Sequence, residues 1–419
     1  MIEKNALIIA KDQYYNMDCH ETKLNNNVLV VGTSGSGKTR GIVIPNLLQA
    51  SGSYIISDPK GNLYQSYHRD LKKKGYRICK LDFTNPEKSD HYNFFEYIHS
   101  FQDIIKIAHM IMGEKFNENY KFDPFWNQAS ELLLTAVIGY IYYYFPKKDR
   151  TIRSIFSLIE EANIEEEGSI RGTELDRRMR RVEACDPDSY VHKYYKKFKV
   201  GASKTLQSIL IMITAALGRF DSPEINEFMK EDTIQITKIG REKTALFVVV
   251  SDTDRSMDNL VNLFFTQALN ELCLYADTKC DNYRLPIDVR FILDDFATNC
   301  KIDNFERIIS SIRSRGISTM LMIQSESQLE HAYGRAADTI IGNCDTYVYL
   351  GGNNLNTARA ISLRCDIPLK KILYMPVSTN WIFRRGQIPV HGVNLELEEY
   401  LKEIQCDERE IQGEKTNEL

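Results

Sequence analysis

The residue types best suited to chemistry lie in a glycine-rich loop near the start of the chain. They fit the pattern G-x-x-x-x-G-K-T and are Gly32, Thr33, Ser34, Gly35, Ser36, Gly37, Lys38 and Thr39. The apolar run Asn27–Val31 before them predicts a short buried strand. The segment after them, from Arg40, predicts a helix whose start Pro45 makes irregular. This order is that of a nucleotide triphosphatase loop; the alternative, a mobile Gly/Ser loop, does not explain the strand.

The loop predicts how ATP and Mg²⁺ are held. Its glycines let backbone N–H groups turn inward as a concave anion site, and the positive end of the next helix faces the same phosphates. Lys38 would reach the β- and γ-phosphates, and the Thr39 hydroxyl would bind Mg²⁺. We therefore expect ATP and Mg²⁺ as cofactors, with the whole loop and Arg40 contacting the nucleotide.

A second element supplies two carboxylates. The apolar segment Val289–Leu293 predicts a strand, and Asp294 and Asp295 follow it directly. In an open parallel sheet, ligands bind at the carboxyl ends of the strands. We expect Asp294 to hold the metal through its water shell and Asp295 to orient and partly deprotonate the attacking water. The alternative is an ordinary strand-ending turn, where Asp is common.

Polar residues around the next strand extend this site. Gln324 follows the predicted strand Thr319–Ile323, so its amide would lie at the same edge and contact both the γ-phosphate region and water. Arg313 and Arg315 precede that strand. Two such arginines are usually a solvated surface pair, but in a ring-shaped ATPase they can project into the neighbouring subunit's site.

The order of apolar segments predicts an α/β fold with a mostly parallel sheet, because short strands alternate with helical stretches. The predicted strands are 27–32, 54–57, 76–81, 245–250, 289–293, 319–323, 347–350 and 380–383. From about Phe101 to Phe220, apolar residues recur only at helical spacing. We expect these domains: a motor domain from residues 1–100 and 221–394, an all-helical insertion at 101–220, and an acidic tail at 395–419.

Composition narrows the class of protein. The net charge of -4 excludes a globally basic DNA-coating protein, although the tail has nine acidic and three basic residues and leaves room for local basic surfaces. The nine cysteines form no C-x-x-C pair, which argues against structural zinc. The most apolar window, Leu132–Phe145, is too short to cross a bilayer and predicts a buried helix. We expect a cytoplasmic chain with no transmembrane segment, which only a partner would hold at the inner face of the membrane.

Several segments along the chain match one family in order. They are Asn25–Gly32, Ser57–Tyr64, Phe122–Trp126, Leu293–Ala297, Ile312–Ser318, Gln324–Leu329 and Ile341–Thr346. Over roughly residues 5 to 390, the series resembles the type IV secretion coupling proteins, hexameric ATPases that deliver DNA during bacterial conjugation. The resemblance implies a RecA-like P-loop motor domain with an inserted all-α domain. It also implies that Gln324 is the site glutamine and that Arg313, before Arg315, is the arginine acting in the neighbouring subunit.

One further segment of the chain matches the family, and the chain differs from the family pattern in two ways. It implies that Asp58 and Lys60 lie near the nucleotide, although Asp58-Pro59 is also typical of a simple turn. The family pattern has Glu where this chain has Asp295, which is one methylene shorter, so we expect poorer water positioning and slower turnover. The family also carries amino-terminal membrane helices. We expect either a truncated or membrane-free member or one that a separate partner anchors.

Two basic runs in the predicted helical domain are candidates for DNA contact. The run His192–Lys199, with Lys204 beyond it, interleaves lysines with aromatic residues. Its lysines would neutralise phosphates, and Tyr194 and Tyr195 would stack on unpaired bases. The run Arg177–Arg181 lacks aromatic residues. For both, the alternative is a solvated helix face, and neither indicates base-specific reading.

These features favour an ATP-hydrolysing motor that couples a relaxase–DNA substrate to a type IV secretion channel during conjugation. Its expected partners are single- or double-stranded DNA bound without sequence preference, relaxase or relaxosome proteins, channel components, and further copies of the chain in an active hexamer. The alternative is a nucleotide-binding adaptor that recruits the relaxase–DNA complex with little or no hydrolysis. A small-molecule kinase also uses such a loop, but the large insertion and the positions of Arg313 and Arg315 argue against it.

Overall fold

The computed structural model describes residues 6–113, 124–162 and 172–404. The strands are β1 (Ala6–Ala10), β2 (Gln13–Asn16), β3 (Val28–Val31), β4 (Ser53–Pro59), β5 (Arg77–Asp82), β6 (Thr244–Val250), β7 (Val289–Leu293), β8 (Ile317–Ile323), β9 (Thr346–Tyr349), β10 (Thr379–Arg384) and β11 (Val390–Val393). The α-helices are α1 (Cys19–Thr22), α2 (Ile44–Leu48), α3 (Asn62–Lys73), α4 (Phe101–Met112), α5 (Pro124–Tyr144), α6 (Ile152–Glu160), α7 (Glu174–Cys185), α8 (Tyr190–Phe198), α9 (Ser203–Leu217), α10 (Pro223–Phe228), α11 (Ile236–Ile239), α12 (Asp258–Lys279), α13 (Phe305–Ile308), α14 (Glu326–Tyr333), α15 (Ala336–Gly342), α16 (Leu355–Cys365), α17 (Leu369–Leu373) and α18 (397–404).

A nine-stranded sheet has the order β11-β10-β9-β3-β8-β7-β4-β6-β5. The strands β9, β3, β8, β7, β4 and β6 run parallel, whereas β10 and β11 are antiparallel to their neighbours. Every residue of β3, β6 and β7 is buried, as is usual for parallel strands covered on both faces. The α/β class and the mostly parallel sheet are therefore confirmed.

Three strands have no counterpart in the prediction. β1 and β2 form a separate antiparallel hairpin, and β11 pairs with β10 through Val390–Val393. The β11 sequence Val-His-Gly-Val has no strong strand pattern, and its pairing partner lies earlier in the chain. At Gly392 a Cβ atom would come within 2.8 Å of the Asn380 side-chain oxygen, so a larger residue there would displace that side chain.

The chain divides into two compact units, each described here by itself. The sheet unit consists of residues 1–80, 236–252 and 269–419, and the helical unit consists of 81–235 and 253–268. The helical unit is wider than the 101–220 expected from helical spacing. Irregular segments before α4 belong to it, since the buried Tyr92 donates its backbone N–H to Phe228 and Asn93 donates to the carbonyl of Arg150. Such segments carry no helical periodicity and so escape detection from sequence.

Helix α5 is the centre of the helical unit. It packs against α4, α6, α8 and α9. The buried helix predicted at 132–145 is found in its central turns, where Leu133 to Ile138 are buried, whereas Tyr143 and Tyr144 near its end are exposed. Of the family segment Phe122–Trp126, the first two residues lie outside the described part of the chain, and Pro124 begins α5. Within the described ranges, no single helix has the length and apolar character needed to cross a membrane; only Tyr190–Phe198 and Ser203–Phe220 reach it together, as a pair bent by 115°.

The first part of the predicted acidic tail is built into the sheet unit. Leu395, Leu397 and Tyr400 are buried in its core, and the Tyr400 hydroxyl donates to the Pro45 carbonyl at 3.0 Å. The apolar residues of the tail recur at helical spacing up to Ile404, and this spacing predicts the helix α18. The remainder of the tail, 405–419, lies outside the described residues.

Candidate nucleotide site

The glycine-rich loop follows the central strand β3 directly. Gly32 donates its N–H to the Ile323 carbonyl of β8 at 3.1 Å, so the loop leaves the sheet at its carboxyl edge. A Cβ atom on Gly32 would come within 2.5 Å of the Ser36 hydroxyl oxygen and 2.8 Å of the Leu350 Cβ. Gly37 has φ +94, in the left-handed region that favours glycine. Both positions therefore require glycine for the loop to close.

The helix after the loop starts irregularly, as Pro45 predicted. Lys38–Val43 forms a wide π turn, and Pro45 then occupies the first turn of α2, where its missing N–H costs little. The π turn brings Thr39 to the inner side of the loop, next to the acid pair.

Inside the loop, two polar groups lack the partners that they would have with a phosphate. The Ser36 hydroxyl is buried and has no hydrogen-bond partner in the described part of the chain. The Lys38 ammonium is only 7% exposed and donates to two carbonyls of its own loop, those of Gly32 at 2.6 Å and Thr33 at 3.1 Å. Burial lowers the pKa of Lys38, against the opposing effect of the Asp295 and Asp294 charges. An oxyanion would satisfy the free hydroxyl and compensate the buried ammonium.

Thr39 and Asp294 form the part of the site that suits a divalent cation. The Thr39 hydroxyl donates to Oδ2 of Asp294 at 2.8 Å. Asp294 is buried, and burial raises its pKa although the Thr39 hydrogen bond acts in the opposite direction. A hydroxyl and a carboxylate that meet in this way are the hard oxygen donors that Mg²⁺ prefers, and the cation would neutralise the buried charge.

The water-orienting candidates Asp295 and Gln324 are also neighbours. The Gln324 side-chain amide donates to Oδ1 of Asp295 at 3.5 Å, and the backbone N–H of Asp295 donates to Oδ1 of Asp294 at 3.1 Å. Asp295 has φ +50, a left-handed conformation that Asp tolerates better than longer side chains do. The strand end therefore suits Asp at this position, where the family pattern has Glu.

Asp58 and Lys60 lie at the same sheet edge, and each has a structural contact there. Asp58 is buried, and its carboxylate accepts the backbone N–H groups of Leu63 at 3.0 Å and Tyr64 at 2.8 Å, which caps α3. Burial raises the pKa of Asp58 to about 6, opposed by the hydrogen bonds from Tyr64 and Leu63, and the Asp294 charge raises it further. Lys60 forms a 2.8 Å ion pair with Asp252.

The three candidate arginines do not join these groups. Arg40 pairs with Glu398 at the surface instead of turning toward the loop. Arg313 lies before β8, at the opposite end of that strand from Gln324, and donates to the carbonyls of Cys19 and Lys23. Arg315 forms a two-point ion pair with Asp277 at 2.7 and 2.8 Å.

One contact of the loop comes from a residue that sequence reasoning missed. The Asn394 side chain donates to the Ser36 carbonyl at 3.4 Å and to the Val377 carbonyl at 3.3 Å, and it accepts from Asn380 at 2.8 Å. Asn394 thus braces the outer side of the loop. A single Asn so far along the chain carries no signal that would connect it to the loop.

In the helical unit, the two basic runs differ from each other. On α8, Tyr195 is 3% exposed and its hydroxyl donates to Asp176, so it is not available to stack on a base as expected. Lys199 is likewise held near Asp176, at 3.3 Å. In the run 177–181, three arginines form ion pairs: Arg177 with Glu174, Arg178 with Glu161, and Arg180 with Asp176. The second run is therefore an ion-paired helix face.

Comparison with known proteins gives consistent matches. A family model described as "Type IV secretory system Conjugative DNA transfer" matches residues 2–366. The protein VirD4 of Rhizobium rhizogenes is 23% identical over 349 residues, covering 80% of this chain and 48% of that protein. The chain spans about half the length of the curated relatives it matches.

Solved structures with the same fold include the bacterial conjugative coupling protein TrwB. Its unbound form superimposes with a TM-score of 0.66 at 17% identity, covering 94% of this chain and 90% of that chain. TrwB in complex with ADP and Mg²⁺ gives a TM-score of 0.65 at 17% identity, with the same coverage of both chains. At this identity the likeness establishes the fold, a RecA-like α/β motor with an all-helical part.

Proposed function

The chain belongs to the type IV secretory system family of conjugative DNA transfer proteins, and on that premise we propose that it is an ATP-hydrolysing motor that drives DNA toward a secretion channel. The observation that carries the proposal is the meeting of Thr39 and Asp294 at 2.8 Å, beside Asp295 and Gln324. A phosphate loop, a cation site and a water-orienting pair are the parts that hydrolysis of a nucleoside triphosphate needs.

In this proposal each residue has a separate task. Lys38 turns from its loop carbonyls to the β- and γ-phosphates, and Ser36 donates its free hydroxyl to a phosphate oxygen. Thr39 and Asp294 would hold Mg²⁺, which would supply positive charge to the phosphates. Asp295 orients and partly deprotonates a water molecule, while Gln324 fixes the Asp295 carboxylate. TrwB, which has this fold, has been solved in complex with ADP and Mg²⁺, and this supports the proposal.

Arg313 has its proposed task in a neighbouring copy of the chain. It lies before β8 and Gln324 lies after it, so the length of the strand, roughly 20 Å, separates Arg313 from its own site. A hexameric ring would bring Arg313 to the next subunit's γ-phosphate. Arg315 is the weaker candidate because its guanidinium is engaged by Asp277.

The proposed division of labour follows the two units. The sheet unit hydrolyses ATP, and the helical insertion meets DNA together with the relaxase. In this proposal the motor works on the cytoplasmic side of the channel, where the DNA enters. The alternative remains an adaptor with little or no hydrolysis, which the shorter Asp295 side chain favours.

The test is steady-state ATP hydrolysis by the purified protein, with and without single-stranded DNA. We expect Mg²⁺-dependent turnover that DNA stimulates and that Lys38→Ala abolishes. Lys72→Ala, an exposed lysine on α3, is the matched control and should keep the wild-type rate. Tight ATP binding without turnover in the presence of DNA would establish the adaptor, and no nucleotide binding at all would exclude both.

A further inference from the structure

Helix α8 has one buried apolar face and one open face that carries tyrosines and lysines. Val191, Tyr195 and Phe198 are buried and hold the helix in the unit. Tyr190 and Tyr194, which lie at helical spacing, face the other way with the lysines between and beyond them. The linear run that the sequence shows is thus an amphipathic helix whose open face is both aromatic and positively charged.

This open face forms one wall of a groove of about 570 Å³ within the helical unit. The opposite wall is the first turn of α4, where the Phe101 ring centre lies 5.2 Å from those of Tyr190 and Tyr194. Ser100 and Asp103 form a capping box that fixes this turn. Tyr190 is nevertheless 62% exposed, so most of its ring is open to a ligand.

The lysines of the groove are not equivalent. Lys193 is held by Asp188 at 2.9 Å. Lys196 and Lys197 are exposed and have no carboxylate within ion-pair distance among the described residues, and the Lys197 ammonium lies 4.6 Å from the Tyr194 ring centre. Both cations therefore face solvent without a counter-charge among the described residues, and Lys197 lies against the half-buried Tyr194 ring.

We propose that this groove binds a single-stranded nucleic acid, with bases stacked on Tyr190 and Tyr194 and backbone phosphates at Lys196 and Lys197. The choice of ligand rests on the proposed function, whereas the groove itself does not. An acidic peptide would use the lysines but would leave the rings uncovered, whereas a nucleotide strand uses both. Stacking is possible for any base, so binding at this groove does not depend on sequence.

The rings are tested by fluorescence anisotropy with a labelled oligothymidylate of about 20 nucleotides. Tyr190→Ala and Tyr194→Ala should each weaken binding roughly 5- to 150-fold, whereas Tyr190→Phe, which keeps the ring, should bind like the wild type. Tyr143→Ala removes a tyrosine that is 52% exposed on α5 and is the matched control. Thermal melting of each variant, followed by circular dichroism, checks that the unit remains folded.

The lysines are tested by salt dependence. Replacing both Lys196 and Lys197 with Gln should reduce the slope of log K against log salt by about 1.4, because each phosphate contact on a single strand contributes about 0.7. The matched control, replacement of the exposed Lys147 and Lys148 with Gln, should leave the slope unchanged.

The outcomes of these experiments distinguish a failure of the groove proposal from a failure of the proposed motor function. If the wild type binds the oligonucleotide and the tyrosine variants bind equally well, the groove proposal is wrong and the motor function stands. The proposal is also wrong if poly-L-glutamate displaces the oligonucleotide and if Tyr190→Ala and Tyr194→Ala bind poly-L-glutamate as well as the wild type does. If the wild type binds no oligonucleotide even at low salt, both the groove and the DNA step of the proposed function fail.

Discussion

Thr39 and Asp294 are 255 positions apart in the chain and are joined by a hydrogen bond of 2.8 Å. The bond connects the phosphate loop after β3 to the carboxylate after β7, two strands that β8 separates in the sheet. It holds the two oxygen donors of the proposed cation site next to each other. The register of the parallel strands, rather than a flexible loop, therefore brings these two side chains together.

Asp294→Asn should uncouple Mg²⁺ from nucleotide binding. The amide oxygen can still accept the Thr39 hydrogen bond, so we expect the fold to be kept, but the negative charge that attracts the cation is lost. Affinity for a fluorescent ADP analogue should fall by tenfold or more with Mg²⁺ and should hardly change in EDTA. Equal loss in both conditions would mean that Asp294 supports the loop and does not hold a metal.

Asp295→Asn should bind ATP normally and hydrolyse it about 10²- to 10⁴-fold more slowly. Asn is the appropriate replacement because, like Asp, it tolerates the left-handed backbone found here at φ +50. Single-turnover hydrolysis with radiolabelled ATP measures the chemical step. A wild-type rate would show that another group orients the water.

Asp295→Glu should raise the rate of ATP hydrolysis and lower the free energy of unfolding. The longer side chain matches the family pattern and, in our hypothesis, positions water better, so the hydrolysis rate should rise. The left-handed backbone should cost Glu about 1 kcal/mol of unfolding free energy. Urea denaturation and the ATPase rate are measured on the same preparation, with Asp295→Asn as the reference. A more stable protein with a slower rate would contradict both parts.

The site shows which functional residues a sequence can reveal. The loop and the acid pair are contiguous motifs, and each follows a predicted strand. Because the carboxyl ends of parallel strands lie at the same edge of a sheet, the sequence is enough to predict that the two motifs meet. Asn394 and the Arg40–Glu398 pair depend on how the chain after β11 returns to the loop, which no local pattern encodes.

In the helical unit, the linear order of the residues does not show which of them share a face. The run 192–199 predicts either a DNA-contacting surface of lysines and tyrosines or a solvated helix face whose apolar positions pack inward. Helical geometry instead buries Tyr195, three to four positions from the buried Val191 and Phe198, and exposes Tyr190, which the run did not include. Applying the 3.6-residue period to the charged run itself would have separated these faces.

The buried carboxylate of Asp58 should make stability depend on pH. Its pKa is about 6 in the folded protein, above the ordinary value of 3.8, mainly because of burial. The folded state therefore binds the proton more tightly than the unfolded state, and the associated stability, present at pH 4, is lost as pH rises through 6. The loss amounts to about 3 kcal/mol at most.

Comparing variants isolates this contribution. The unfolding free energy of Asp58→Asn, measured by urea denaturation between pH 4 and 7, should depend less on pH than that of the wild type. Asp338→Asn, which replaces an exposed carboxylate on α15, is the control and should follow the wild-type curve. Parallel curves for wild type and Asp58→Asn would mean that Asp58 has the same pKa in both states.

Mixed assemblies test the proposed role of Arg313. If it acts in the neighbouring subunit, Arg313→Ala should reduce turnover only under conditions in which rings form, such as with DNA and ATP. Mixing Arg313→Ala with Asp295→Asn should then restore part of the activity, because some interfaces join an intact Arg313 to an intact Asp295. Arg307→Ala, which replaces an exposed arginine on α13, is the matched control.

Mass photometry on the same mixtures reports ring formation. Equal loss of activity in strictly monomeric Arg313→Ala would show that Arg313 acts within its own subunit, through the hydrogen bonds that it makes to the carbonyls of Cys19 and Lys23.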